Sequence, residues 1–99
     1  DDRKFTQLWI KERSKKSGRK LLETELSQKG INKLIISEEL DNISEAEELT
    51  AAINQGTRKF NPKLTRMENY KKIINLLTRK GFSYTVSKNA FEVINKATV

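Results

Sequence analysis

Leu22-Glu23-Thr24-Glu25-Leu26-Ser27-Gln28-Lys29-Gly30-Ile31 and Ile73-Ile74-Asn75-Leu76-Leu77-Thr78-Arg79-Lys80-Gly81-Phe82 are one pattern written twice, 51 residues apart (73 − 22). The correspondence continues outward: Leu40 and Ile43 are answered by Phe91 and Ile94 at the same offset. Each copy reads as an apolar-faced helix, a Lys-Gly stop, a large apolar residue and a second apolar-faced helix. Glycine is the residue that closes a helix most readily, because it adopts positive φ without strain. Repetition at this period marks a supersecondary unit used in tandem, a plan suited to long binding surfaces rather than catalytic clefts.

Working outward from the repeat gives six helices, at about 2–15, 18–29, 33–43, 45–59, 65–80 and from Ser83 onward. In the first, Phe5, Leu8 and Trp9 share a face by i, i+3, i+4 spacing and are expected to pack into the core. On that expectation, Trp9→Ala should cost about 3–5 kcal/mol. Ser17-Gly18 breaks this helix, Asn32 is placed to cap the third, and Ser44 with Glu47 forms a capping box for the fourth. Leu49, Ala52 and Ile53 take the role of Phe5, Leu8 and Trp9 at an offset of 44 (49 − 5), so the second unit holds about seven extra residues. They fall near Asn61-Pro62, where proline cannot continue a helix. The sixth helix is expected to turn Val86, Ala90, Phe91, Val93 and Ile94 inward, with Phe82 and Tyr84 packing at the second glycine turn and the Tyr84 hydroxyl able to stay wet at an edge. The expected fold is all-α, with two tandem three-helix repeat units forming an elongated helical array. The units span residues 1–43 and 44–99, the second with an insertion near 60–66.

Composition narrows the function. The 99 residues include no Cys and no His, which removes thiol chemistry, Cys/His zinc sites and histidine acid–base relays. No carboxylate spacing points to a metal or an acid–base pair, so the expectation is a non-enzyme without cofactor or metal. No apolar run is long enough to cross a bilayer. The charged start Asp1-Asp2-Arg3-Lys4 lacks the apolar region of a signal peptide, though a start without Met leaves room for a targeting segment upstream. The absence of cysteine suits a reducing compartment, and the cytoplasm is the expected location. The net charge of +7 is unevenly spread: residues 31–50 carry one basic and six acidic residues, and residues 51–80 carry eight basic and one acidic. A basic zone of this kind attracts an anionic partner.

Helical geometry sorts the basic residues. Lys29 and Lys80 lie beside the apolar stripe at helix C-termini, where a cation complements the helix dipole, so their repetition is structural. Lys72 and Arg79 share a face and point away from that stripe, with Lys71 nearby and Lys20 as its counterpart in the first unit. With Arg58, Lys59, Lys63 and Arg66 they are candidate partner-binding residues. A second cluster, Arg13, Lys15, Lys16, Arg19 and Lys20, surrounds the first break. A helix-turn-helix reading is disfavoured: the third helix, with Glu38, Glu39 and Asp41, would be repelled by phosphate.

The stretch Phe5-Thr6-Gln7-Leu8-Trp9-Ile10-Lys11-Glu12-Arg13, followed by Glu25-Leu26-Ser27-Gln28-Lys29-Gly30-Ile31, resembles the second tandem unit of the bacterial regulatory RecX family. Leu77-Thr78-Arg79-Lys80-Gly81-Phe82-Ser83-Tyr84, ending in Phe91-Glu92-Val93-Ile94, resembles that family's following unit. The resemblance implies two units of a longer pattern, with a further unit ahead of the first. It also implies a non-enzymatic, monomeric regulator that binds the RecA filament on single-stranded DNA, inhibits its ATPase and strand exchange, and so modulates DNA repair by recombination and the SOS response. It supplies no motif that assigns contact residues, so the basic candidates rest on charge and geometry. The alternative is a direct DNA-binding module acting through its basic face; weak DNA binding is compatible with either.

Overall fold

In the computed structural model, which describes residues 1–98, the chain is all-α. Val99, the last residue of the expected second unit, lies outside the described residues. The helices are α1 (Asp2–Arg13), α2 (Arg19–Gln28), α3 (Lys33–Leu40), α4 (Glu45–Thr57), α5 (Arg66–Arg79) and α6 (Tyr84–Thr98). They form two tandem three-helix units in a rod of 48 × 21 × 19 Å. Two cores replace one. The first contains Ile10, Leu22, Leu26, Ile31, Ile36, Leu40 and Ile43. The second contains Ala51, Ala52, Ile73, Leu77, Phe82, Ala90, Phe91 and Ile94. The matched apolar pairs of the repeat, Leu22/Ile73, Leu26/Leu77, Ile31/Phe82, Leu40/Phe91 and Ile43/Ile94, therefore all face a core. Fully burying one of these Leu, Ile or Phe side chains contributes about 1.5–3 kcal/mol.

Local chemistry sets the helix ends. Gly30 (φ 82°) and Gly81 (φ 93°) are the positive-φ residues, each closing the middle helix of its unit. The Asn32 side chain accepts from the Leu34 amide at 2.7 Å, and Ser83 Oγ accepts from the Val86 amide at 3.1 Å. Ser44 and Glu47 form the expected capping box, and Thr65 and Glu68 form a second at the front of α5. The extra residues of the second unit divide between two places. The α4–α5 connector has eight residues (58–65) against five between α1 and α2 (14–18), and α5 starts 47 residues after α2 (66 − 19) rather than 51, adding a turn at its front.

The capping carboxylates make acid sensitivity predictable. Glu47 is held below the usual carboxylate range, first by the Ser44 amide, and Glu68 in the same way by that of Thr65. Glu39 is lowered chiefly by the hydrogen bond from Arg3. A depressed carboxyl adds stability above its unfolded pKa, and that stability is lost as pH falls through the folded value. Thermal stability should therefore be flat from neutrality down to about pH 5 and fall below the ordinary carboxylate range, about pH 4–5. Ser44→Ala should cost about 1 kcal/mol at neutral pH and shrink the share of the acid loss that Glu47 carries, measured by thermal melts across pH.

The packing expectations at Phe5, Leu8, Val93 and Tyr84 are overturned, and that at Trp9 is met in part. Phe5 is 41% and Leu8 57% exposed, and Trp9 is only partly buried; Thr6 and Ile10 are the buried residues of α1. The reason is chemical. The Thr6 hydroxyl donates to the Asp2 carbonyl at 2.7 Å, so its polarity is satisfied inside the helix and does not mark an outer face. Val93 (43%) and Tyr84 (54%) also face solvent, the latter hydrogen-bonding its hydroxyl to that of Tyr70. Trp9 sits at the core edge instead, donating Nε1–H to Glu25 at 3.1 Å, with Lys29 Nζ 4.5 Å from its ring centroid.

Candidate partner-binding surface at the joint

The two units meet where α2 begins and α5 ends. Gly18 N–H donates to the Lys80 carbonyl at 2.8 Å, and Lys20 N–H donates to the Gly81 carbonyl at 3.1 Å. The Arg19 amide donates to Glu48 Oε2 at 3.1 Å. The first turn of α2 thus has its amides satisfied by the second unit, and Gly18 at its N-cap supplies no side-chain cap. The Arg19 guanidinium closes the joint, donating to Glu48 Oε1 at 3.2 Å and to the Ile43 carbonyl. Glu48 shows only 11% of its side chain. Arg19, read from the sequence as part of a surface cluster, is a structural clasp.

Gly18 is needed here for space, not for conformation. Its φ of −83° is open to any residue. A Cβ on Gly18 would meet the Gly81 carbonyl group and the Phe82 amide nitrogen inside van der Waals contact, and a Cβ on Gly81 would meet the backbone of Leu21. Gly30, the counterpart of Gly81, has nothing within 4 Å of a Cβ. The repeat therefore uses the same turn twice but docks it within this chain only once.

Beside the joint lies a cleft of about 670 Å³, walled by Arg13, Lys16 and Leu21 from one unit and Leu76, Arg79 and Lys80 from the other. Two basic clusters far apart in sequence converge there. Lys72, Leu76 and Arg79 follow i, i+4, i+7 spacing on α5, so the exposed Lys72 continues the line of charge away from the cleft. Glu12 is the acidic residue on the rim.

The other basic candidates are divided among several environments. Arg13 is committed to Glu25 through two bonds of 2.7 and 2.6 Å and lies 5.4 Å from the centroid of the Trp9 ring. Arg66 pairs with Glu92 at 2.7 Å and covers Phe91. Arg79 Nε–H donates to the Asn75 carbonyl at 3.2 Å. Lys16, Lys20, Lys71 and Lys72 are exposed and make no salt bridge among the described residues. Arg58, Lys59 and Lys63 are exposed on the α4–α5 connector and do not line the cleft. Lys15 faces a different groove, between α1 and α4. Lys80, read from the sequence as structural, lines the cleft as well as ending α5. Its position beside the glycine stop was the available signal, but only the docking of α2 turns that turn into a wall.

Comparison with known proteins places this architecture. Residues 1–40 match the family model described as RecX, second three-helix domain. The regulatory protein RecX of Clostridium tetani is 35% identical across 97% of this chain, and that of Clostridium botulinum is 31% identical across 96%. The Streptococcus sanguinis protein of the same name is 33% identical across 93%. The chain spans about half the length of the two clostridial relatives, 45% and 47%, and 36% of the streptococcal one. No solved structure matches it. Among the described residues, no helix is long and apolar enough to cross a membrane. With the repeat, the helical units and these relatives in agreement, the chain belongs to the RecX family of regulatory proteins.

Proposed function

We propose that this chain is a cytoplasmic, monomeric and non-enzymatic regulator that binds the RecA filament on single-stranded DNA and restrains its ATPase and strand exchange. In this reading residues 1–43 and 44–99 act as two units, the second lengthened near 60–66. The observation that carries it is the convergence of Arg13, Lys16, Arg79 and Lys80 on one cleft at a joint with little freedom. The kinship with RecX regulatory proteins supports RecA as the partner. A rod of this kind lodged across neighbouring protomers would block the motions and DNA access that filament turnover requires. Charge complementarity would make association fast and salt-sensitive.

Titration of the chain into RecA on single-stranded DNA, followed by ATP hydrolysis, tests the proposal. Inhibition should set in well below the concentration needed to bind DNA alone. Lys72→Glu with Arg79→Glu should raise the half-inhibitory concentration by about tenfold or more, equivalent to about 1.4 kcal/mol, without altering the melting profile. Unchanged ATP hydrolysis at high concentration of both this chain and a longer chain containing it would refute the reading. The run from Lys72 into the cleft also favours a second one, direct DNA binding. That predicts binding without RecA, with affinity falling by about 0.7 log units per phosphate contact for each log unit of salt on single strands.

A further inference from the structure

A second concavity lies between α1 and α4, away from the residues of the basic cleft. Its volume is about 700 Å³. One wall carries Gln7, Lys11 and Lys15, and the other carries Ala46, Thr50 and Asn54. Both series advance in steps of four: Gln7 and Lys11 lie on α1 with Lys15 in the connector just beyond it, and the α4 wall is a helical edge of about 12 Å at 1.5 Å per residue. Ile10, Ile43 and Ala51, each no more than 9% exposed, form an apolar floor. Small side chains on the α4 wall leave the trough wide. The joint creates this space, because α1 and α4 belong to different units and are held apart by the docking of α2 on α5.

The charges in the trough are unequal in their availability. Glu39 is engaged by Arg3 at 2.7 Å and by Asn42 at 3.3 Å. Glu47 accepts the Ser44 amide at 3.1 Å in the capping box. Lys11 and Lys15 make no salt bridge among the described residues. Glu39 is countered by Arg3 and Glu47 keeps its charge on the α4 side, so the unpaired cations of the trough, Lys11 and Lys15, stand on its α1 side above the apolar floor.

We propose that the α1–α4 trough is a docking site for an acidic amphipathic helix of a partner protein, seating one or two apolar side chains on the Ile10–Ile43–Ala51 floor and carboxylates on Lys11 and Lys15. A trough of this length takes about two helical turns, and the i, i+4 face of such a helix supplies both the anchors and the flanking acids. The site is separate from the joint cleft and does not rest on its assignment.

The probe is a fluorescein-labelled helical peptide of about a dozen residues, with leucines at i and i+4 and glutamates elsewhere, titrated by anisotropy. Lys11→Gln with Lys15→Gln should weaken binding by about tenfold, and Lys72→Gln with Arg79→Gln, an equal change in net charge, by about twofold or less. Ala46→Trp, at an exposed position on α4, should fill the trough and abolish binding while leaving the fold intact by circular dichroism; Thr50→Tyr serves the same end should that variant misfold. Absence of peptide binding, equal weakening by the two glutamine pairs, or full binding to a correctly folded trough-filled variant would each overturn the proposal.

Discussion

Gly18→Ala should destabilise the protein by about 3 kcal/mol, although its backbone angles suit alanine and its position reads as an ordinary helix break. The added methyl group would press on the Gly81 carbonyl group and the Phe82 amide nitrogen, which are backbone atoms and cannot rotate aside. Relief requires the units to separate, and separation forfeits the bonds from Gly18 to Lys80 and from Lys20 to Gly81. Each contributes about 1 kcal/mol net, with a further penalty where the parted groups stay out of reach of water. Gly81→Ala should cost more, because an equally close clash, with Leu21, is added to a positive φ of 93°. Gly30→Ala is the control. It has the same left-handed strain but open space around it, so its cost should be about 1–2 kcal/mol. Urea unfolding should rank the variants Gly81, Gly18, Gly30 from most to least damaging. A Gly18 variant as stable as the parent would mean that the joint contributes nothing to stability.

The second large effect belongs to Phe91 rather than to Trp9. Phe91 is fully buried, meets Tyr70 edge-on at 5.3 Å between ring centroids and is covered by Arg66. Phe91→Ala should cost about 3–5 kcal/mol, since the surrounding Ile, Leu and Ala side chains cannot collapse into so large a void. Trp9 lies at the edge of the first core and leaves its outer face to Phe5, whose ring centroid is 5.8 Å away. Trp9→Ala should therefore cost about 2 kcal/mol, below the range for a core tryptophan. The larger loss should also spread. The first turn of α2 takes its amide partners from the turn after α5 and from α4, so unfolding the second unit removes the N-terminal cap of α2. Denaturation of Phe91→Ala followed separately by Trp9 fluorescence and by far-ultraviolet circular dichroism should give one coincident transition. Two separated transitions would show that the units fold independently and that the joint is only a contact.

Much of this was legible in the residues because its causes are local. The Lys-Gly stops, the Ser44–Glu47 box and the Asn32 cap each act within a few residues, through bonds between a side chain and the nearest backbone amides. The repeat at 51 residues marked both cores, since apolar side chains at helical spacing have few other places to go. The same logic failed on α1, where the largest apolar residues were assigned inward and a threonine that satisfies itself took the place. The basic candidates were found by charge, but charge does not say which of them are engaged. Arg13, Arg19 and Arg66 turned out to hold Glu25, Glu48 and Glu92, pairs separated by 12, 29 and 26 residues. Such pairings have no helical period to announce them.

The sequence by itself thus determined an all-helical chain built from one unit used twice, where each unit turns, and that its second half is strongly basic. Tertiary structure alone decided how the units meet, and with that both concavities. The joint is made by backbone amides and carbonyls at positions 18–20 and 80–81, groups that every residue carries and that no side-chain pattern can encode. Its trace in the sequence is two glycines, one of which looks like any helix break. Only when α2 is seated on the end of α5 do Lys16 and Arg79 share a cleft and α1 and α4 open a trough, because both depend on the angle at which two separately folded cores are held.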